Sequence, residues 1–127
     1  VARLRAAGCR VSLFVDPVPR EVEGARSVGA DRVELYTEAY ARAFATKKRD
    51  AVFARYRAAA ERAAALGLGV NAGHDLDLDN LPFLAQNLPG LEEVSIGHAL
   101  VSDSLFAGLD HTVRAYLAAL APDRPQT

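Results

Sequence analysis

The sequence predicts an α/β fold built on a parallel sheet. Four short, β-prone apolar runs, at 11–15, 32–37, 69–72 and 93–96, alternate with helix-sized stretches. Two of the runs stop at Gly-His, and the histidines, His74 and His98, lie 24 positions apart. A strand–helix–strand unit of that length makes its strands parallel, so both Gly-His pairs fall at one sheet edge. That edge, the carboxyl ends of the strands, is where α/β proteins place their chemistry.

The opening residues read as the last turns of a helix, which Gly8 ends. Val11-Ser12-Leu13-Phe14-Val15 is a nearly continuous apolar run, the pattern of a strand covered on both faces. Asp16-Pro17 closes it, because proline drives its predecessor out of helical geometry and has no N–H for a ladder. Pro19 opens a helix that turns Val22, Ala25 and Val28 inward and stops at Gly29. The second strand is Arg32-Val33-Glu34-Leu35-Tyr36-Thr37.

A short helix over 38–45 follows, then a break near 47–50. Val52, Phe53, Tyr56, Ala60, Ala63 and Ala64 mark one face of the next helix, which ends at Gly67. After the third strand, Asp79 caps a helix with Leu81, Leu84 and Leu88 facing in, and Pro89-Gly90 closes it. The fourth strand leads to a short helix over 98–101. Ser102 or Asp103 then caps a long final helix bearing Leu105, Leu109, Val113, Tyr116, Leu117 and Leu120. From Pro122 onward the chain is a polar tail.

Two architectures fit this order: an open doubly wound sheet, or half of an eight-fold (β/α) barrel. The short extra helix after the last strand favours the barrel half, since barrels bind phosphate at such helices. A length of 127 residues suits one domain with one sizeable core. Half the residues are hydrophobic and the net charge is −1, so nothing points to nucleic acid or an anionic membrane. Lys47-Lys48-Arg49 is a solvated turn, and no apolar run approaches the roughly 18 residues of a membrane helix. Cys9, the one cysteine, has no disulfide partner in the chain, which suits a reducing cytosol, and its position predicts a small core residue. With Val1 first and no methionine, the expectation is a piece of something longer.

Few residues carry chemistry. Backbone N–H groups at the start of the helix after Gly97 are free for a phosphate, and His98 adds a ring donor. Glu34 is a carboxylate inside an apolar strand, where ionised groups are costly unless paired. Alternation puts it on the face of Tyr36, ready to stabilise developing positive charge or to form a structural ion pair. His74 is placed to serve as acid or base near neutral pH. Asn71 is placed to fix a neighbouring side chain or a substrate hydroxyl. Asp75, Asp77 and Asp79 lack the glycine and glutamate of a calcium loop and read as a helix-capping loop. His111 is structural, and no zinc-type cluster, nucleophile elbow or P-loop is present. The expectation is that Glu34, His74 and His98 share one open face.

At these residues the chain resembles a known family, pyridoxine 5′-phosphate synthase. The matching pieces are residues 7–16, 33–40, 66–76 with Val70-Asn71-Ala72-Gly73-His74, and 94–100 with Ile96-Gly97-His98-Ala99. The resemblance implies a TIM-type barrel, with residues 1–127 as the carboxyl-terminal half, strands five to eight. It implies condensation of 1-deoxy-D-xylulose 5-phosphate with 3-amino-2-oxopropyl phosphate, without metal or organic cofactor, in the cytoplasm. By position His74 resembles the family's proton donor and Glu34 its transition-state stabiliser. Asp75, Gly97 and His98 match positions that bind the aminoketone phosphate. Some members carry glycine at 75, so Asp75 acts there through its backbone N–H. The resemblance also implies dimers and octamers, and assigns the proton acceptors, a histidine and a glutamate, to the other barrel half. Two readings of other classes stay open: a non-catalytic phosphate-binding α/β module, and a structural half-barrel with idle histidines.

Overall fold

Four parallel strands, each followed by helix, account for residues 1–121, the part of the chain that the computed structural model describes. The elements are α1 (Ala2–Ala6), β1 (Ser12–Val15), α2 (Pro19–Ser27), β2 (Arg32–Tyr36), α3 (Glu38–Ala43), α4 (Arg49–Ala65), β3 (Gly69–Gly73), α5 (Leu81–Asn87), β4 (Leu91–Ser95), α6 (His98–Ala107) and α7 (Leu109–Leu120). The expected polar tail from Pro122 lies outside the described residues.

The sheet order is β1-β2-β3-β4, all parallel. A doubly wound sheet reverses its strand order at a switch point; this one never does. Right-handed crossovers that always advance in one direction put their helices on one face. Strand residues Val33, Leu35, Val70 and Ala72 accordingly form a single core with Val22, Tyr40, Phe53, Tyr56, Ala60, Leu81, Leu84 and Tyr116 from the helices. Each fully buried leucine or valine there contributes about 1.5–3 kcal/mol.

The opposite face is open and layered. Its lower layer is a charged lattice. Arg32 donates to Asn71 Oδ1 at 3.1 Å and to Glu92 at 2.5 Å; Asn71 donates to Glu93 at 3.0 Å, and Arg10 reaches Glu93 at 2.7 Å. Asn71 thus fixes neighbouring side chains. The arginines hold the Glu93 carboxyl below its ordinary range, with Arg10 the main cause.

Several expectations are corrected. β1 is not covered on both faces: Ser12 and Phe14 lie exposed on the open side. Cys9 is exposed, because the chain turns outward after Gly8, which has φ +81. Val28 is exposed one turn beyond buried Ala25, and Ala64 is exposed next to buried Ala63, off the buried face of α4. Asn80, not Asp79, is the N-cap of α5.

The largest difference is at the end. The helix after β4 runs to Ala107, and Gly108, at φ +84, makes the break. Ser102 and Asp103 lie inside α6; Asp103 accepts a 2.8 Å hydrogen bond from Tyr116 of α7. That bond turns Thr112 and Tyr116 inward and leaves Leu105, Leu109 and Leu117 exposed. Phe106 is 91% exposed.

A large exposed apolar surface beside unpaired strand edges drives association. The chain expressed alone should therefore self-associate. Size-exclusion chromatography over a concentration series should show a growing oligomer fraction, and Phe106→Ser should reduce it.

Candidate functional site

Register decides what meets at the carboxyl edge. Phe14, Glu34, Asn71 and Glu93 are partners across the sheet, and Tyr36, Gly73 and Ser95 form the next row up. Glu34 Oε1 lies directly over the Gly73 Cα, where a side-chain Cβ would overlap it. Gly73 is needed for that close approach and not for a special backbone angle. The arginines are spent on Glu92, Glu93 and Asn71, and Glu34 has no ion-pair partner among the described residues. The structural ion pair is therefore absent there.

The unusual backbone falls on the next two residues, His74 at φ 89 and Asp75 at φ 55. Left-handed conformation in non-glycine residues costs about 1–3 kcal/mol and persists only where the surroundings impose it. Two buried side chains impose it here. The Thr37 hydroxyl is shared between the carbonyls of Gly73 (2.6 Å) and His74 (2.5 Å), and the Thr37 N–H also donates to Gly73 at 2.9 Å. Asn80 donates from Nδ2 to the Asp75 carbonyl at 3.1 Å. Asn80 is anchored in turn, since its own carbonyl accepts from the Tyr40 hydroxyl at 2.6 Å.

The His74 ring stands edge-on to Tyr36, centroids 4.8 Å apart, and its Nδ1 lies 3.2 Å from Asp75 Oδ2. Tyr36 also packs on Phe14 at 5.2 Å and donates its phenol to Glu38 Oε2 at 2.5 Å. That bond, with desolvation, raises the Tyr36 pKa above its usual value. The same bond, helped by Arg42 at 3.2 Å, lowers that of Glu38.

Across from this group α6 begins. Its first capping bond runs from the Val101 N–H to the Gly97 carbonyl at 3.0 Å, which leaves the N–H groups of 98–100 without intrahelical partners. Nothing lies within 4 Å of a Cβ built on Gly97, so the approach is open. Glu34, His74, Asp75, Gly97 and His98, with Phe14, Val94, Ser95 and Ile96, line one cleft of about 630 Å³. All five residues singled out in the sequence are thus brought together.

The Asp loop braces the turn ahead of α5 and makes no side-chain capping bond to the helix, contrary to expectation. Asp77 Oδ1 accepts from the N–H groups of Asp79 (3.0 Å) and Asn80 (2.9 Å). No group of three or more metal-type side chains occurs among the described residues. No described helix is long and apolar enough to cross a membrane. His111 is an exposed residue on α7, outside the cleft. Sequence reasoning missed Thr37, Asn80 and the Tyr36–Glu38 pair. Thr37 occupies the N-cap position of α3 but makes no capping bond, and its reach to β3 has no local signal.

Comparison with known proteins places these features in a family. Residues 1–122 match the model of the pyridoxal phosphate biosynthesis protein PdxJ family. A protein of Cytophaga hutchinsonii named pyridoxine 5′-phosphate synthase is 56% identical over 120 residues, 94% of this chain and 50% of that protein. Proteins of the same name from Albidiferax ferrireducens and Flavobacterium johnsoniae are 53% and 55% identical, covering 98% and 89% of this chain. They are matched over 49% and 47% of their own lengths. The chain thus spans about half the length of these relatives.

Thr37→Val keeps the shape but leaves the His74 carbonyl unpaired, and should cost about 1–3 kcal/mol in urea unfolding. Gly73→Ala should fold with little loss, because the end of the Glu34 side chain can move. A crystal structure of that variant should show the Glu34 carboxylate swung away from β3.

Proposed function

The chain belongs to the PdxJ family, and we propose that it supplies the carboxyl-terminal half of a pyridoxine 5′-phosphate synthase. On this reading β1 to β4 are strands five to eight of a TIM-type barrel. The unreversed strand order, the open layered face and the exposed apolar side of α6 and α7 support it. The other barrel half would pair both strand edges and cover that apolar side. It would also bring the histidine and glutamate that accept protons.

The substrates proposed are 1-deoxy-D-xylulose 5-phosphate and 3-amino-2-oxopropyl phosphate, condensed with loss of phosphate and water. Carbon–nitrogen condensation passes through species that carry positive charge on nitrogen. Glu34, unpaired in the cleft, would stabilise that charge at close range in a water-poor site. His74 would give a proton to a departing oxygen. The aminoketone phosphate would sit at the start of α6, held by free N–H groups, the helix dipole, the His98 ring and the Asp75 N–H. One observation carries the reading: Glu34, His74, Asp75, Gly97 and His98 line a single cleft at the carboxyl edge of the sheet.

Steady-state kinetics of the full-length enzyme would test the roles. His74→Ala should lower kcat by about 10²- to 10⁴-fold with KM little changed, as for loss of a general acid. His98→Ala should mainly raise KM for the aminoketone phosphate, since a phosphate contact acts alike in ground and transition states. The reverse pattern would overturn the assignment. Loss of phosphate-ester binding in His98→Ala, with no synthase activity in the parent enzyme, would instead favour a phosphate-holding module.

A further inference from the structure

We infer that the Asp75 carboxylate is a positioning residue for His74, setting which ring nitrogen faces the substrate; this rests on the reading of His74 as proton donor. Asp75 Oδ2 lies 3.2 Å from His74 Nδ1. A carboxylate beside Nδ1 favours a proton there through its charge, which biases the tautomer and leaves Nε2 to exchange its proton with substrate. In the protonated ring both nitrogens carry hydrogen. After Nε2 gives up its proton, the neutral ring that remains is the Nδ1–H form, the one the carboxylate favours.

The backbone builds this pair. Adjacent side chains along a regular strand point to opposite faces. The successive positive φ values of His74 and Asp75 break that alternation and let the two side chains meet. The turn is held by Thr37 on the His74 carbonyl and by Asn80 on the Asp75 carbonyl. Tyr36, edge-on at 81° and tied to Glu38, closes off another side of the ring.

Other charged or titratable groups also face His74. Glu38 on α3 interacts with it through space, Glu34 on β2 and His98 on α6 line the same cleft, and Tyr36 touches the ring. Asp75 is the carboxylate in ion-pair range of a ring nitrogen among the described residues. Its N–H is unaffected by its side chain, so the positioning role and a backbone contact to phosphate are separable.

The experiment uses the full-length enzyme with Asp75→Asn and Asp75→Gly, which both keep the backbone N–H. The side chains of His74 and Asp75 are 46% and 43% exposed, so solvent screens the pair and the effect is moderate. In ¹⁵N spectra of the histidine-labelled enzyme the neutral His74 ring should move from the Nδ1–H toward the Nε2–H tautomer in both variants. At neutral pH kcat should fall by about two- to fivefold, with KM for the aminoketone phosphate unchanged. An unchanged tautomer in both variants, or a raised KM with kcat in place, overturns the proposal.

His74→Ala is measured alongside. If that variant turns over normally, the donor reading has failed, and the pair is then judged by ¹⁵N spectra of histidine-labelled full-length protein. The neutral His74 ring should be the Nδ1–H tautomer in the parent and shift toward Nε2–H in Asp75→Asn. The same tautomer in both proteins would overturn it.

Discussion

The Thr37 hydroxyl, shared by the Gly73 and His74 carbonyls, is the contact on which the site's geometry depends. Without it nothing at the end of β3 would oblige His74 to hold φ 89. The contact is effective because Thr37 is itself immovable. It sits fully buried at the junction of β2 and α3. Just below, the Tyr56 hydroxyl donates to the Tyr36 carbonyl at 2.7 Å and accepts from the Tyr40 N–H at 3.3 Å. Tyr40 then reaches the Asn80 carbonyl, and Asn80 reaches Asp75. The strained turn is thus tied on both sides to one aromatic cluster, in which Tyr40 also packs on Phe44, Phe53 and Phe83. Burial pushes the Tyr56 hydroxyl up to about 12, so it stays protonated and able to donate across the whole working pH range.

The open face separates structural charge from charge that is free to act. In the lower layer Arg10, Arg32, Glu92, Glu93 and Asn71 satisfy one another. Glu34, in register with Asn71 and Glu93, has no cation, and its carboxylate leans against Gly73 of the next row. The arginines that would neutralise Glu34 are taken up by its neighbours. A polar lattice of this kind holds the strands in register while leaving the Glu34 carboxylate beside it chemically uncommitted.

Much of this was legible in the residues. Period-two alternation placed Glu34 with Tyr36, and strand spacing placed His74 beside His98, because both follow from geometry that any parallel sheet obeys. The apolar stripe of the last helix was misread for an equally general reason. Periodicity says which residues share a face, but not whether anything covers that face. Leu105 of α6 and Leu109 and Leu117 of α7 are all exposed, and no described residue covers them. Cys9 and Val28 failed in the same way, as apolar positions that lie past the reach of the core. The break at Gly108 was displaced because Ser102 and Asp103 have the chemistry of caps, while the chain used them inside a helix. Positive φ on a histidine and an aspartate has no signature at all, since it is imposed by Thr37 and Asn80 from elsewhere in the chain.

The backbone at position 75 also shapes how this protein can drift. A φ of 55 tolerates aspartate, asparagine and glycine, and penalises β-branched or bulky residues. Asparagine and glycine codons each lie a single nucleotide from those of aspartate. Neutral change at this position is therefore channelled into two residues that preserve the fold and discard the negative charge. The backbone is served as well by either of them, so the carboxylate itself is the one property of position 75 that the turn does not require.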